Sequence, residues 1–196
     1  YFFLFLLIYY VSFSKVSLQA SFASENAALI GMVLVPKGLY ISGSNKYNDE
    51  RPSRQIYLDA FYVDKFEVTQ KEFKKIMNFN PSEFRGKNLP VERVDWYQAR
   101  DYCNKSGKRL PTEAEWEKSA RSGSESKYYW GEEVDDSYAW HWDNSHRKTR
   151  SVGEKRPNNL GLYDTAGNVW EWTADWYDQN YYQNRSSKNA KSIFNG

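Results

Sequence analysis

The sequence predicts an α+β domain, with short helices around a small, irregular antiparallel sheet and much of the chain in ordered loops. Three observations carry this. Three segments open with a capping residue followed three positions later by Glu or Gln: Thr69 with Glu72, Asp95 with Gln98, and Thr112 with Glu115. Two stretches, 32–36 and 55–63, have the apolar patterning of short strands. From Met32 onward, Gly, Pro, Asn and Asp break the chain into short pieces, with no internal repeat and no low-complexity tract.

Taken in order, 32–36 is a strongly apolar run, and 55–63 carries Ile56, Leu58 and then Phe61, Tyr62 and Val63, as a half-buried strand would. The first helix begins after Thr69, where the hydroxyl and the Glu72 carboxylate satisfy orphan amides reciprocally. Phe73, Ile76 and Met77 share its inner face, and Pro81 bars continuation. The second follows Asp95, with Trp96, Ala99, Tyr102 and Cys103 as its inward stripe and Gly107 as its natural stop. The third follows Thr112, with its entry fixed by Pro111, and runs to about Arg121. Beyond Trp130 periodicity fades into loops pinned by tryptophans, notably around Trp140, Trp142 and 156–159.

A chain of 196 residues has room for one domain with a sizeable core. Lys and Arg number 27 against 25 Asp and Glu, and no long run of one sign occurs, so nothing points to a nucleic acid or an anionic surface as partner. The low mean hydropathy argues against a multi-spanning membrane protein. Aromatic residues make up 18%, which implies a rigid domain held by ring packing. The single Cys103 forbids an internal disulfide. Residues 1–13 are apolar or aromatic except Ser12, and Lys15 and the small residues Ala20 and Ala23 follow. Residues 1–23 therefore read as a secretory signal or an uncleaved anchor, and the protein as exported: periplasmic, secreted or held at a membrane through this segment alone.

Two longer motifs identify a family. Gly107-Lys-Arg-Leu-Pro-Thr-Glu-Ala-Glu-Trp-Glu117, and Asn159-Leu-Gly-Leu-Tyr-Asp164 followed by Gly167-Asn-Val-Trp-Glu-Trp172, resemble signatures of the formylglycine-generating enzyme, or sulfatase-modifying factor, family. The resemblance implies a loop-rich fold related to C-type lectin folds and stabilised by calcium. It implies a domain over 29–196 that stops short of the family's C-terminal catalytic segment, where paired cysteines bind copper. The whole protein is then expected to be an oxygen-dependent oxidase that converts a cysteine of an unfolded sulfatase, or of another exported protein, to formylglycine, acting as a monomer. Two alternatives stay open: a non-catalytic, envelope-associated binding module on the same fold, and a family enzyme of other chemistry, such as siderophore maturation.

The resemblance also nominates a metal site. Calcium takes six to eight oxygens from carboxylates, amides and carbonyls. Carried over residue by residue, Asn168 and Glu171 are the side-chain ligands, and the carbonyls of Gly167 and Val169 join them. From the bare residues alone a plain turn is the favoured reading, with Asn168 left-handed and Glu171 solvated or salt-bridged, and it is the resemblance that turns the balance to calcium. A second calcium site near Asn144 and Ser145 is expected to be degraded, because the basic stretch 146–150 would repel a cation. Glu113, Glu115 and Glu117 lie two apart on a helix and cannot converge for acid–base chemistry. Cys103 is expected to be buried and inert, the family counterpart pairing with a cysteine near the C-terminus. His141 and His146 are expected to be structural. Trp140, Trp142, Trp170, Trp172 and Trp176 are expected in the core, with Trp172 and Trp176 facing a cleft as the alternative.

Overall fold

The computed structural model describes residues 29–190, so the signal-like segment 1–23 lies outside them. The chain divides into two compact units, Tyr1–Met32 and Val33–Gly196, and apart from Met32 the residues discussed below belong to the second.

Four strands form two ribbons. These are β1 (Met32–Val35), β2 (Gly38–Ser42), β3 (Arg54–Leu58) and β4 (Phe61–Asp64). β1 pairs with β4, and β2 pairs antiparallel with β3 in a register that sets Gly38 opposite Leu58 and Ser42 opposite Arg54. The single strand expected over 55–63 is thus two. The break falls at Asp59, whose N–H is taken by Asn189 Oδ1 at 2.9 Å while its carboxylate accepts from Asn189 Nδ2 at 2.7 Å. The same distant segment bridges the other edge of β3: Tyr57 N–H donates to Ser187 O and Asn189 N–H to Tyr57 O, both at 2.8 Å.

The helices are α1 (Gln70–Met77), α2 (Trp96–Lys105), α3 (Glu113–Arg121) and a single turn, α4 (Tyr181–Asn184). All three expected capping boxes are formed in full, by Thr69 with Glu72, Asp95 with Gln98 and Thr112 with Glu115. α1 ends earlier than Pro81 requires, at Asn78 in the left-handed region with φ of 64°. Ile56, Leu58, Ala114 and Ala190 form a core cluster, with Tyr40 and Phe61 packed against it. Phe73, 1% exposed, stacks on Tyr102 at 5.4 Å and joins α1 to α2. α3 is fastened to β2 by polar contacts: Glu117 accepts from the Ser42 hydroxyl and from Gly43 N–H at 2.8 Å, and Lys118 Nζ donates to the Pro36 carbonyl at 2.7 Å.

The tryptophans depart from expectation. Trp142, Trp170, Trp172 and Trp176 are exposed, and Trp140 is half-buried. Aliphatic residues, tyrosines and Phe73 fill the small core, while the Trp172 indole N–H is satisfied at the surface by Val94 O at 2.9 Å. An indole whose polar atom is paired in this way can leave its face in water. Among the described residues no helix is long and apolar enough to cross a membrane.

Candidate functional site

The 164–171 segment is held in an unusual conformation from several sides. Asp164, Gly167 and Asn168 all have positive φ, of 56°, 106° and 55°. Gly167 allows no other residue, because a Cβ there would stand 2.2 Å from the Trp140 carbonyl oxygen. That oxygen accepts the Asn168 N–H at 2.9 Å, and Trp140 in turn carries Lys155 Nζ 3.6 Å from its ring centroid. The linker between β4 and α1 lies alongside: Tyr163 N–H donates to Lys65 O at 3.1 Å, and Phe66 packs on Tyr163 at 4.9 Å. This contact delivers Glu67 to the segment.

Three carboxylates lie within electrostatic reach of one another here. Glu67, 7% exposed, accepts from Asn168 Nδ2 at 2.6 Å and from Val169 N–H at 3.3 Å. Asp164, 2% exposed, accepts from Gly153 N–H at 2.7 Å through Oδ2, while its buried Oδ1 has no partner. Glu171 accepts from the indole N–H of Trp116 on α3. By surface area Glu171 is an exposed residue, yet protein atoms crowd its carboxylate. Burial first, and the Asp164 charge second, push its pKa up to about 7 against the Trp116 hydrogen bond. Burial, then the charges of Glu171 and Asp164, push Glu67 up to about 9. Asp164 is raised too, chiefly by burial. Mutually repelling acids with an unpaired buried oxygen are electrostatically suited to a cation.

The donor set fits a hard ion. Among the described residues no three His, Cys, Asp or Glu side chains stand close enough to hold a metal by themselves. A cation would therefore draw on backbone carbonyls for much of its shell, as calcium does. Asp164 and Glu171 would supply carboxylate oxygens, and Gly167 and Val169 carbonyls. Asn168 takes a different part from the expected one. Its Oδ1 accepts from Arg150 N–H at 2.9 Å and its Nδ2 donates to Glu67 and to Arg150 O, so its side chain is a latch across the loop. Sequence reasoning singled out neither Asp164 nor Glu67 for this loop: Asp164 lies three residues before Gly167, while Glu67 meets the loop across 101 residues.

The remaining candidates are structural. Asn144 spends its amide on His141 N–H and Ala139 O, and the basic residues His146, Arg147 and Lys148 are exposed beside it. His141 pairs with Asp136 at 2.7 Å. Burial, then the Asp64 charge, raise the half-buried Cys103 thiol above its ordinary value, the reverse of what a nucleophile needs. Glu113 accepts from Tyr182, Glu115 caps α3 and takes both ends of the Arg109 guanidinium, and Glu117 braces β2. A cleft of about 650 Å³ opens between β4 and α2, lined by Phe61, Trp96, Arg100, Asn104 and Ala174, with Tyr97 and Trp176 exposed beside Trp96.

With this geometry in hand, the comparisons with known proteins agree on one class. Residues 19–196 match the family described as the sulfatase-modifying factor enzyme 1-like domain. The chain belongs to that family. It is 32% identical to the chaperone protein LppX of Paenibacillus barcinonensis, over 87% of this chain and 81% of that one. It is 31% identical to the formylglycine-generating enzyme of Bos taurus, over 74% of this chain but 58% of the bovine protein. Among solved structures it superposes on Treponema denticola variable protein 1 with a TM-score of 0.68 and 30% identity, covering 75% of this chain and 73% of the other.

Proposed function

We propose that this chain is the calcium-braced scaffold of an exported sulfatase-modifying-factor protein that, as a whole, oxidises a cysteine of a sulfatase or another exported polypeptide to formylglycine with dioxygen. The observation that carries the reading is the buried Asp164, whose Oδ1 is unpartnered, with the Glu171 pKa raised by burial and then by its charge, in a chain 31% identical to a formylglycine-generating enzyme. Calcium bound by Asp164, Glu171 and the carbonyls of Gly167 and Val169 would neutralise the acids and lock the loop that precedes the exposed Trp170 and Trp172. The chain's own residues prepare that loop: Trp140 O orients the Asn168 peptide and Trp116 orients the Glu171 carboxylate. Copper, which the family's oxidation chemistry requires, needs a thiol pair. The 196 residues hold one cysteine, so by themselves they do not fit copper.

The test is to strip the protein with a chelator and titrate calcium while following the melt. Binding to the native state alone stabilises by about 2.7 kcal/mol at a hundred times Kd. Asp164→Ala should abolish the shift, and a parent protein whose melt ignores calcium removes the calcium reading. Oxidation by the whole protein is tested separately, by mass spectrometry of a cysteine-containing sulfatase peptide incubated in air with the full-length protein and added copper.

A second reading, a non-catalytic binding module, is favoured by the exposed Tyr97 and Trp176 packed on Trp96 at the rim of the 650 Å³ cleft, since exposed aromatic patches of this kind mark binding surfaces. Unchanged sulfatase peptide together with retention of an exported partner by the parent, lost in Trp176→Ala, would favour it.

A further inference from the structure

Glu67 stands about a hundred residues before the cation segment in sequence, in none of the motifs that identify the family's metal site. Among the described residues no basic side chain is paired with its carboxylate. Both of its oxygens are engaged by the segment itself, Oε2 by the Asn168 side chain at 2.6 Å and Oε1 by the Val169 N–H at 3.3 Å. We infer that Glu67 is the positioning residue of the cation site, fixing the peptide plane at Asn168–Val169 and latching the Asn168 side chain out of the ligand shell.

The reasoning follows from peptide planarity. In a trans peptide the C=O points opposite to the N–H, so whatever receives the N–H sets the carbonyl. Trp140 O receives the Asn168 N–H, which turns the Gly167 carbonyl away from Trp140. Glu67 receives the next N–H, that of Val169, which fixes the following plane and turns the Asn168 carbonyl away from Glu67, so the chain enters Val169 on a set course. Two consecutive planes are therefore held from outside, one by a backbone oxygen and one by a buried acid. The second latch explains the left-handed Asn168, whose φ of 55° lets its amide bridge Glu67 and Arg150 together. With both oxygens used in this way, Glu67 acts on the cation through the segment's geometry and through its charge, which faces Glu171 and Asp164.

This inference rests on the calcium reading above, and its test separates the two. Calcium and the luminescent probe terbium are titrated into the full chain as the parent, Glu67→Gln, Glu67→Ala and Asn168→Ala, with far-ultraviolet circular dichroism as the check on folding. Loss of an outer-shell partner typically weakens metal affinity 10–100-fold. Glu67→Ala is expected in that range, and Asn168→Ala is expected to be weakened as well. Glu67→Gln should lie between parent and Ala, because its carboxamide keeps one acceptor and sets a donor against the other N–H. Adding Asn168→Ala to Glu67→Ala should cost little more, since both break one latch. If Glu67→Ala does not fold, the Glu67→Gln affinity decides the matter. Parent-like affinity in the folded Glu67 variants, with only a lower melt in and out of calcium, overturns the positioning role and leaves the calcium reading standing. A parent that binds neither ion overturns both.

Discussion

Replacing Gly167 by Ala tests the frame of the site most sharply. The substitution adds one methyl group, yet it would lie 2.2 Å from the Trp140 oxygen and 3.1 and 3.2 Å from the same residue's backbone C and N. All three are backbone atoms, so no rotamer change relieves the overlap. The φ of 106° adds a penalty of its own, about 1–2 kcal/mol for an L-residue at positive φ. Strain and displacement of Trp140 together bring the cost to roughly 3–5 kcal/mol, at the high end for a point change. In a domain of this size 1 kcal/mol moves Tm by about 2–4 °C, so the melt should fall by about 10 °C. Gly161 is the control. Its φ is 82°, but nothing lies within 4 Å of its added Cβ, so Gly161→Ala should pay the backbone penalty alone and lose about 3–6 °C. The assay is calorimetry of both variants and the parent under chelator. Equal losses would refute the argument that close approach to Trp140, rather than φ, makes glycine necessary.

Other outcomes are expected alongside it. Without calcium, stability should fall as pH rises: Glu67 and Glu171 ionise near 4.5 when unfolded but at about 9 and 7 in the fold, so the unfolded chain holds fewer protons between these values. Melts from pH 5 to 9 should show the decline, and saturating calcium should flatten it; a cation-free protein equally stable at both ends contradicts the raised values. Trp116→Phe keeps the ring but removes the donor to Glu171, so calcium affinity by titration should weaken while the fold survives. Phe73→Ala empties a fully buried site between α1 and α2 and should cost about 3–5 kcal/mol by denaturant unfolding. Trp170→Ala, at a side chain wholly in water, should change stability by no more than about 0.5 kcal/mol.

What the sequence determined by itself is what forms within a few residues. The three helix starts were legible because a capping box closes reciprocal hydrogen bonds over three positions. The loop 164–171 was legible as one short run for the same reason, but that the Asn168 amide would be taken by Glu67 and Arg150 was not. Tertiary structure decided the rest. The break at Asp59 depends on Asn189, 130 residues away, and the latch on Asn168 depends on Glu67, 101 residues away. The exposure of four tryptophans was hidden too, because an aromatic side chain in a sequence carries no sign of whether a distant carbonyl such as Val94 O will satisfy its N–H at the surface. Local hydrogen-bond geometry is written in the spacing of residues. Which backbone groups and charges meet across the chain is set only when the core closes and brings Lys65 against Tyr163.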